Sequence, residues 1–275
     1  MSESYAAAPE ALARLASRVA EAAGDRVLEL RRRGVTVAGL KSSAIDMVTE
    51  ADREAEEMIV AALIAERPDD GLLGEEGAGA EGTSGITWVI DPIDGTTNYF
   101  YDIPAYVVSI AATVPDPEWT AEGRRTIAAA VYNPSTRELF TAWEGGGAFV
   151  NGEPISVAAR EELSTALVGT GFGYTVERKL EQLEAAQRLL PKIRDLRRIG
   201  AAAYDLCLVA CGRLDAYYER GLNPWDYAAG ALIAREAGAG LLGIDEATPP
   251  GTPLLCAASP GLVRELRDTI TGAAE

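Results

Sequence analysis

Trp88-Val89-Ile90-Asp91-Pro92-Ile93-Asp94-Gly95-Thr96-Thr97-Asn98 is the stretch on which the reading of this chain turns. Its apolar start predicts a buried strand that ends in Asp91, and Pro92 and Gly95 then turn the chain into two threonines able to open a helix. Asp91 and Asp94, three residues apart across a tight turn, can aim at one point. The amides of Gly95 to Thr97 face the same point, as unbonded N–H groups at helix starts face anions. Carboxylates beside an amide nest of phosphate size repel such a substrate unless a cation lies between them. Read alone, however, the segment is equally an Asp-Pro turn with a helix cap.

Other acids fall into comparable positions. Glu75 and Glu76 follow a predicted strand, residues 72–75, and stand between Gly74 and Gly77. Pro224-Trp225-Asp226 opens a predicted helix in which Asn223 is the N-cap and Asp226 the third residue, a position that also suits an ordinary capping acid. Asp46-Met47-Val48-Thr49-Glu50-Ala51-Asp52 contains a second such pair, Thr49 and Asp52. Gly169-Thr170-Gly171-Phe172-Gly173 has the look of a dinucleotide loop, but Tyr174 stands where that fingerprint needs glycine.

The 275 residues include no histidine. That excludes Ser-His-Asp and Cys-His nucleophile chemistry and nearly all catalytic zinc sites, so hydrolysis here must use carboxylates, hydroxyls, Lys or Arg, and hard metals held by oxygen. Lys plus Arg (25) less Asp plus Glu (42) leaves a net charge of −17. Such a charge repels nucleic-acid backbones and anionic membranes, and neither is expected as a partner. Residues 1–10 lack the basic-then-apolar order of a signal peptide, and no apolar run approaches the length of a membrane span. Cys207 and Cys211 lie one helical turn apart, but with one further cysteine, Cys256, and no histidine they read as core thiols. A reducing cytoplasm is the expected setting.

Helical spacing of Leu12, Leu15, Val19, Val27 and Leu30 predicts a first helix over residues 9–32, and a second follows Thr49 until Pro68-Asp69-Asp70-Gly71 stops it. Strands are predicted at 87–91, 107–113, 126–132 and 138–143, with Asn151-Gly152 a strong turn. Beyond about residue 160, strands and helices alternate. This predicts an α+β lobe over residues 1–150, carrying most of the acids above, and an α/β lobe over 151–275.

Together these segments resemble the inositol monophosphatase family. Gly74-Glu75-Glu76, Trp88 through Asn98, and Trp225-Asp226-Tyr227-Ala228-Ala229-Gly230 match its three signatures in order, and Lys41 with the 46–52 segment matches its N-terminal one. Lys41-Ser42-Ser43 and Arg213-Leu214-Asp215-Ala216-Tyr217-Tyr218-Glu219 are most similar to actinobacterial members. The resemblance implies the layered α-β-α-β-α sandwich shared with fructose-1,6-bisphosphatases, a homodimer, and a Mg²⁺-dependent, lithium-sensitive phosphomonoesterase. One Mg²⁺ would take Glu75, Asp91 and the Ile93 carbonyl, a second Asp91, Asp94 and Asp226, and a third, weaker ion a place near Glu75 and Glu76. The Gly95 and Thr96 amides would hold the phosphate. Glu75 and the Thr96 hydroxyl, polarised by Asp52, would orient the attacking water, and Gly200, Ala202 and Glu219 would meet the polyol. Ala201 stands where many members carry Ser or Thr, and Tyr99 replaces a frequent Phe. Inositol 1-phosphate or a similar small polyol phosphate is the leading substrate. The alternatives are histidinol phosphate, fructose 1,6-bisphosphate or a 3′-phosphonucleotide, or a regulatory protein built on the same fold.

Overall fold

Leu12, Leu15, Ala16, Val19, Ala23 and Val27 form one buried stripe, and the chain accordingly coils into helix α1 (Pro9–Arg33). Proline in its first turn has no N–H to leave unbonded there, and Arg31, Arg32 and Arg33 in its last turn suit the helix dipole. The computed structural model describes residues 7–34, 37–40 and 47–273. Lys41, Ser42, Ser43 and Asp46 lie outside the described residues. Strands β1 (Val37–Leu40) and β2 (Met47–Thr49) pair as an antiparallel ribbon. Thr49 then caps helix α2 (Glu50–Glu66) through the expected box with Asp52.

An eight-stranded sheet follows, built from β3 (Gly71–Gly74), β4 (Gly79–Ala80), β5 (Thr87–Asp94), β6 (Val107–Pro115), β7 (Arg124–Asn133), β8 (Glu138–Trp143), β9 (Gly147–Val150) and β10 (Glu153–Ile155). The spatial order is β10-β9-β8-β7-β6-β5-β3-β4, and only β3 and β5 pair in parallel. Successive residues point to opposite faces. Trp88, Ile90, Ile110 and Ala130 therefore pack under α1 and α2, while Val89, Ala111, Ala129 and Phe140 face the other way. With both faces covered, these strands read as continuous apolar runs. A short helix, α3 (Thr96–Tyr101), leaves the end of β5.

The rest of the chain forms β11 (Leu167–Thr170), α4 (Val176–Leu189), β12 (Asp195–Arg197), α5 (Ala202–Ala210), β13 (Ala216–Arg220), α6 (Pro224–Glu236), β14 (Gly240–Leu242), β15 (Leu254–Ala258) and α7 (Val263–Thr271). Its five strands run in the order β12-β11-β13-β15-β14. One apolar cluster joins the inner face of the large sheet to α5, α6 and then Tyr217, Leu255 and Ala257. Val168, Tyr218 and Cys256 on the outer face pack with Leu189 of α4 and Leu266 of α7. The layers are thus α1 and α2, the large sheet, α5 and α6, the small sheet, and α4 and α7, which is the α-β-α-β-α sandwich. Helices α5 and α6 cross closely because Gly230 lacks a side chain, and a Cβ there would lie 2.8 Å from that of Leu206 and 2.9 Å from the Ala203 carbonyl oxygen.

Several elements differ from expectation, among them β3, which lies at Gly71–Gly74 rather than 72–75. Strand β5 does not stop at Asp91 but runs on to Asp94 through a bulge, since Asp91 pairs with Ser109 and Asp94 with Val107. Pro92, which has no N–H for a ladder, sits inside that bulge. Strand β14 is too short for its spacing to be read, and α7 begins at Val263 rather than at Pro260.

Candidate active site

The first two acids are placed by strand pairing. Parallel β3 and β5 match Gly74 with Ile90, and the Glu75 amide donates to the Ile90 carbonyl at 3.2 Å. Glu75, just past the end of β3, and Asp91, at the start of the bulge in β5, consequently lie at the same level on adjacent strands. The turn after Glu75 is held from α2, where buried Glu56 accepts the amides of Glu76 at 2.9 Å and Ala78 at 2.8 Å. The bulge aims the next two acids. The Ile93 amide donates to Asp91 Oδ1 at 3.0 Å, and the chain then brings Asp94 against the start of α5.

There the Ala202 amide donates to Asp94 Oδ1 at 3.2 Å and the Ala203 amide to Oδ2 at 2.7 Å. These are first-turn amides without intrahelical acceptors, which an acidic side chain satisfies. Asp226 lies in the first turn of α6, where it accepts the Asn223 amide at 2.6 Å. Gly95 adopts φ +93°, and a Cβ there would meet the Ala105 carbonyl oxygen at 2.9 Å, so glycine is required to start α3. The Thr96 hydroxyl reaches the Ile93 carbonyl oxygen at 3.1 Å and Asp52 Oδ1 at 3.3 Å. Asp52 is fully buried behind it, and its other oxygen takes the Thr49 amide at 2.7 Å.

Glu75, Asp91, Ile93, Asp94, Gly95, Thr96, Gly200, Ala202, Glu219 and Asp226 all line one cavity of about 460 Å³. Asp52 does not reach its wall and lies behind the Thr96 hydroxyl, and Glu76 also lies off the wall. No site role was assigned from sequence to Glu56, Gly171, Arg178 or Tyr217. Gly171 and Arg178 are on the cavity wall, and Tyr217 stands behind Glu219. For Glu56 a signal existed, an acid four residues after Asp52 on the buried side of α2.

Burial pushes the Asp91 carboxyl well up, helped by the charges of Glu75, Asp94 and Asp226 and by a carboxyl–carboxyl hydrogen bond with Glu75. Asp94 is pushed up to about 7 by burial, against the opposing pull of the Ala203 amide, with Glu75 and Glu219 adding to the rise. Burial also raises Asp226, and Glu75 and Asp94 add to it. Among the described residues, no three acidic or cysteine side chains are already gathered closely enough to grip a metal ion. The donor chemistry nevertheless fits a hard cation. The ligands on offer are all oxygen, and the buried, mutually repelling charge that raises these carboxyls is what a divalent ion compensates.

Known proteins share much of this sequence and this fold. The inositol-1-monophosphatase SuhB of Mycobacterium tuberculosis is 46% identical over 235 residues, covering 82% of this chain and 78% of that protein. The Nus factor SuhB of Xylella fastidiosa is 41% identical over 222 residues, covering 80% of this chain and 78% of its own. The solved structure of the extragenic suppressor protein suhB from Bartonella henselae matches with a TM-score of 0.86 at 33% identity, covering 94% of this chain and 98% of that one. The family profile itself matches residues 6–272, and the chain belongs to the inositol monophosphatase family.

Proposed function

We propose that this protein is a Mg²⁺-dependent phosphomonoesterase that hydrolyses inositol 1-phosphate or a similar small polyol phosphate. The observation that carries the reading is the convergence of Glu75, Asp91, Asp94 and Asp226 with Thr96 on one cavity, with Glu219 also on its wall. Two Mg²⁺ ions on Glu75, Asp91, the Ile93 carbonyl, Asp94 and Asp226, with a third and weaker one near Glu75 and Glu76, would supply Lewis acidity and neutralise the charge of the phosphate.

The chain's own groups do the rest. Asp52 and the Ile93 carbonyl compete for the single Thr96 hydroxyl hydrogen, which turns the hydroxyl lone pairs toward the cavity. A water there can donate to Thr96 and to Glu75 and be aimed at phosphorus. The Gly95 and Thr96 amides hold the phosphate oxygens, and Glu219 accepts from hydroxyls of the alcohol, with Gly200 and Ala202 against its ring. Asp94 and Asp226 are held in place by helix amides, so their carboxylates do not need to be organised during turnover.

The same reading carries an acid-rich lobe over residues 1–150, a lobe over 151–275, a homodimer, inhibition by Li⁺ and a cytoplasmic setting. The cysteines Cys207, Cys211 and Cys256 are free thiols, and no helix among the described residues is long and apolar enough to cross a membrane. The test is phosphate release with Mg²⁺ from inositol 1-phosphate, histidinol phosphate, fructose 1,6-bisphosphate and a 3′-phosphonucleotide. Fastest turnover on the inositol ester is expected, and turnover confined to one of the other three would replace the substrate.

Similarity to a relative named as a Nus factor favours a second reading, a component of a transcription complex. A net charge of −17 makes that partner a protein rather than RNA. Absence of turnover on every ester, together with binding to RNA polymerase or another transcription protein, would select it.

A further inference from the structure

The Glu219 carboxylate is confined from two directions, neither of which the hydrolysis itself needs. From beneath, fully buried Tyr217 lies two residues earlier on β13 and on the same face, and its hydroxyl donates to Glu219 Oε2 at 2.5 Å. From the side comes β11. It runs parallel to β13 with Thr170 opposite Tyr218, which brings Gly171 beside Glu219. A Cβ on Gly171 would lie 1.9 Å from Glu219 Oε2 and 2.2 Å from both Cδ and Oε1, and these are its three nearest heavy atoms. The backbone of Gly171 is outside the positive-φ region, so its conformation does not call for glycine. What calls for glycine is the carboxylate. Arg198 lies across Gly200 at the rim and makes no ion pair with Glu219.

We infer that Gly171 and Tyr217 are specificity-determining residues that select hydroxyl-bearing phosphate esters by holding the Glu219 carboxylate in one position at the cavity wall. The inference rests on the polyol-phosphatase reading above. With Oε2 taken by Tyr217, Oε1 is the atom left to accept substrate hydroxyls, and its place is set by the surrounding wall. A carboxylate free to swing would pay ordering entropy on each binding event and discriminate less. Gly171→Ala is the most direct probe, because the added methyl meets the carboxylate and leaves its charge in place.

The experiment measures kcat and KM with Mg²⁺ for inositol 1-phosphate and for p-nitrophenyl phosphate, which offers no hydroxyls, and reads the ratio of the two kcat/KM values. Glu219→Gln, Gly171→Ala and Tyr217→Phe should each lower that ratio roughly tenfold, mainly through KM for the inositol ester. The double variant Gly171→Ala with Glu219→Gln should be no worse than Glu219→Gln alone, since both act on one group. Melting temperature reports whether each variant folds. An unchanged ratio in folded Gly171→Ala, or additive losses in the double variant, would overturn the inference while leaving the polyol reading standing. An unchanged ratio in Glu219→Gln would overturn both.

Discussion

The Asp94 carboxylate and the Ala203 amide, 109 residues apart in the chain, meet at 2.7 Å. This contact ties the bulge at the end of β5 to the first turn of α5, and through the close α5–α6 crossing it brings Asp226 to the same cavity. It also exposes a conflict. Asp94 is pushed up to about 7 by burial although two helix amides pull the other way, so amides alone do not compensate for the buried charge. Asp91 and Asp226 are raised for the same first reason.

The metal-free protein should therefore lose stability as pH rises. A carboxyl raised on folding contributes its stability below the unfolded value, near 3.8 for aspartate, and loses it progressively up to the folded one, about 7 for Asp94. A divalent ion should cancel that loss. The melting temperature with Mg²⁺ minus that with EDTA is expected to be small near pH 5 and to widen up to about pH 8. A gap that stays constant over this range would mean that these carboxyls are not what the ion compensates.

Asp91→Asn should abolish turnover and leave the fold intact. Asp91 shares the cavity wall with Glu75 and Asp94 and is assigned to both ions, so losing its charge weakens both sites together. A fall in kcat/KM of more than about a hundredfold is expected, while Asp226→Asn should weaken mainly one site and be partly rescued by high Mg²⁺. Near-normal rates for Asp91→Asn at ordinary Mg²⁺ would show that the bridging assignment is wrong.

How much of this was legible in the sequence varies with the range of the interaction involved. Helix α1 could be read from Leu12, Leu15 and Val19 because its period is local. Asp91 and Asp94 could be read as a convergent pair, but the bulge that aims them could not, because it exists only through pairing of Asp94 with Val107 on β6. The one-residue shift of β3, to Gly71–Gly74, likewise depends on its partner β5. Gly171 looked like a failed dinucleotide loop, since nothing local announces that the register of β11 on β13 sets it against Glu219. Glu56 is different. An acid on the buried side of α2 was visible as a pattern and could have been read as serving the turn after Glu75.

That role for Glu56 is open to test. Its two oxygens satisfy the Glu76 and Ala78 amides, and it is 5% exposed. Glu56→Ala should cost about 2–3 kcal/mol in unfolding free energy, since hydrogen bonds to a charged acceptor are lost on a buried turn. The Mg²⁺ concentration for half-maximal activity should also rise, because Glu75 is the residue that this turn displays. A stability loss with an unchanged Mg²⁺ requirement would confine Glu56 to the fold.

The last prediction separates Thr96 from Asp52. Asp52 serves two structures through different oxygens, since Oδ2 closes the cap of α2 with the Thr49 amide while Oδ1 faces the Thr96 hydroxyl at 3.3 Å. Thr96 has no part in that cap. Thr96→Val keeps the shape of the side chain but removes the hydroxyl, and should lower kcat about a hundredfold or more with KM and melting temperature nearly unchanged. Thr96→Ser, which keeps the hydroxyl, should retain most of the activity. Asp52→Asn should show a smaller loss in kcat, because the Ile93 carbonyl at 3.1 Å remains to orient the hydroxyl hydrogen, together with a stability loss of about 1 kcal/mol from the weakened cap. If Thr96→Val instead kept most of its kcat, the hydroxyl would not be orienting the water, and Asp52 would be left with its structural role in α2.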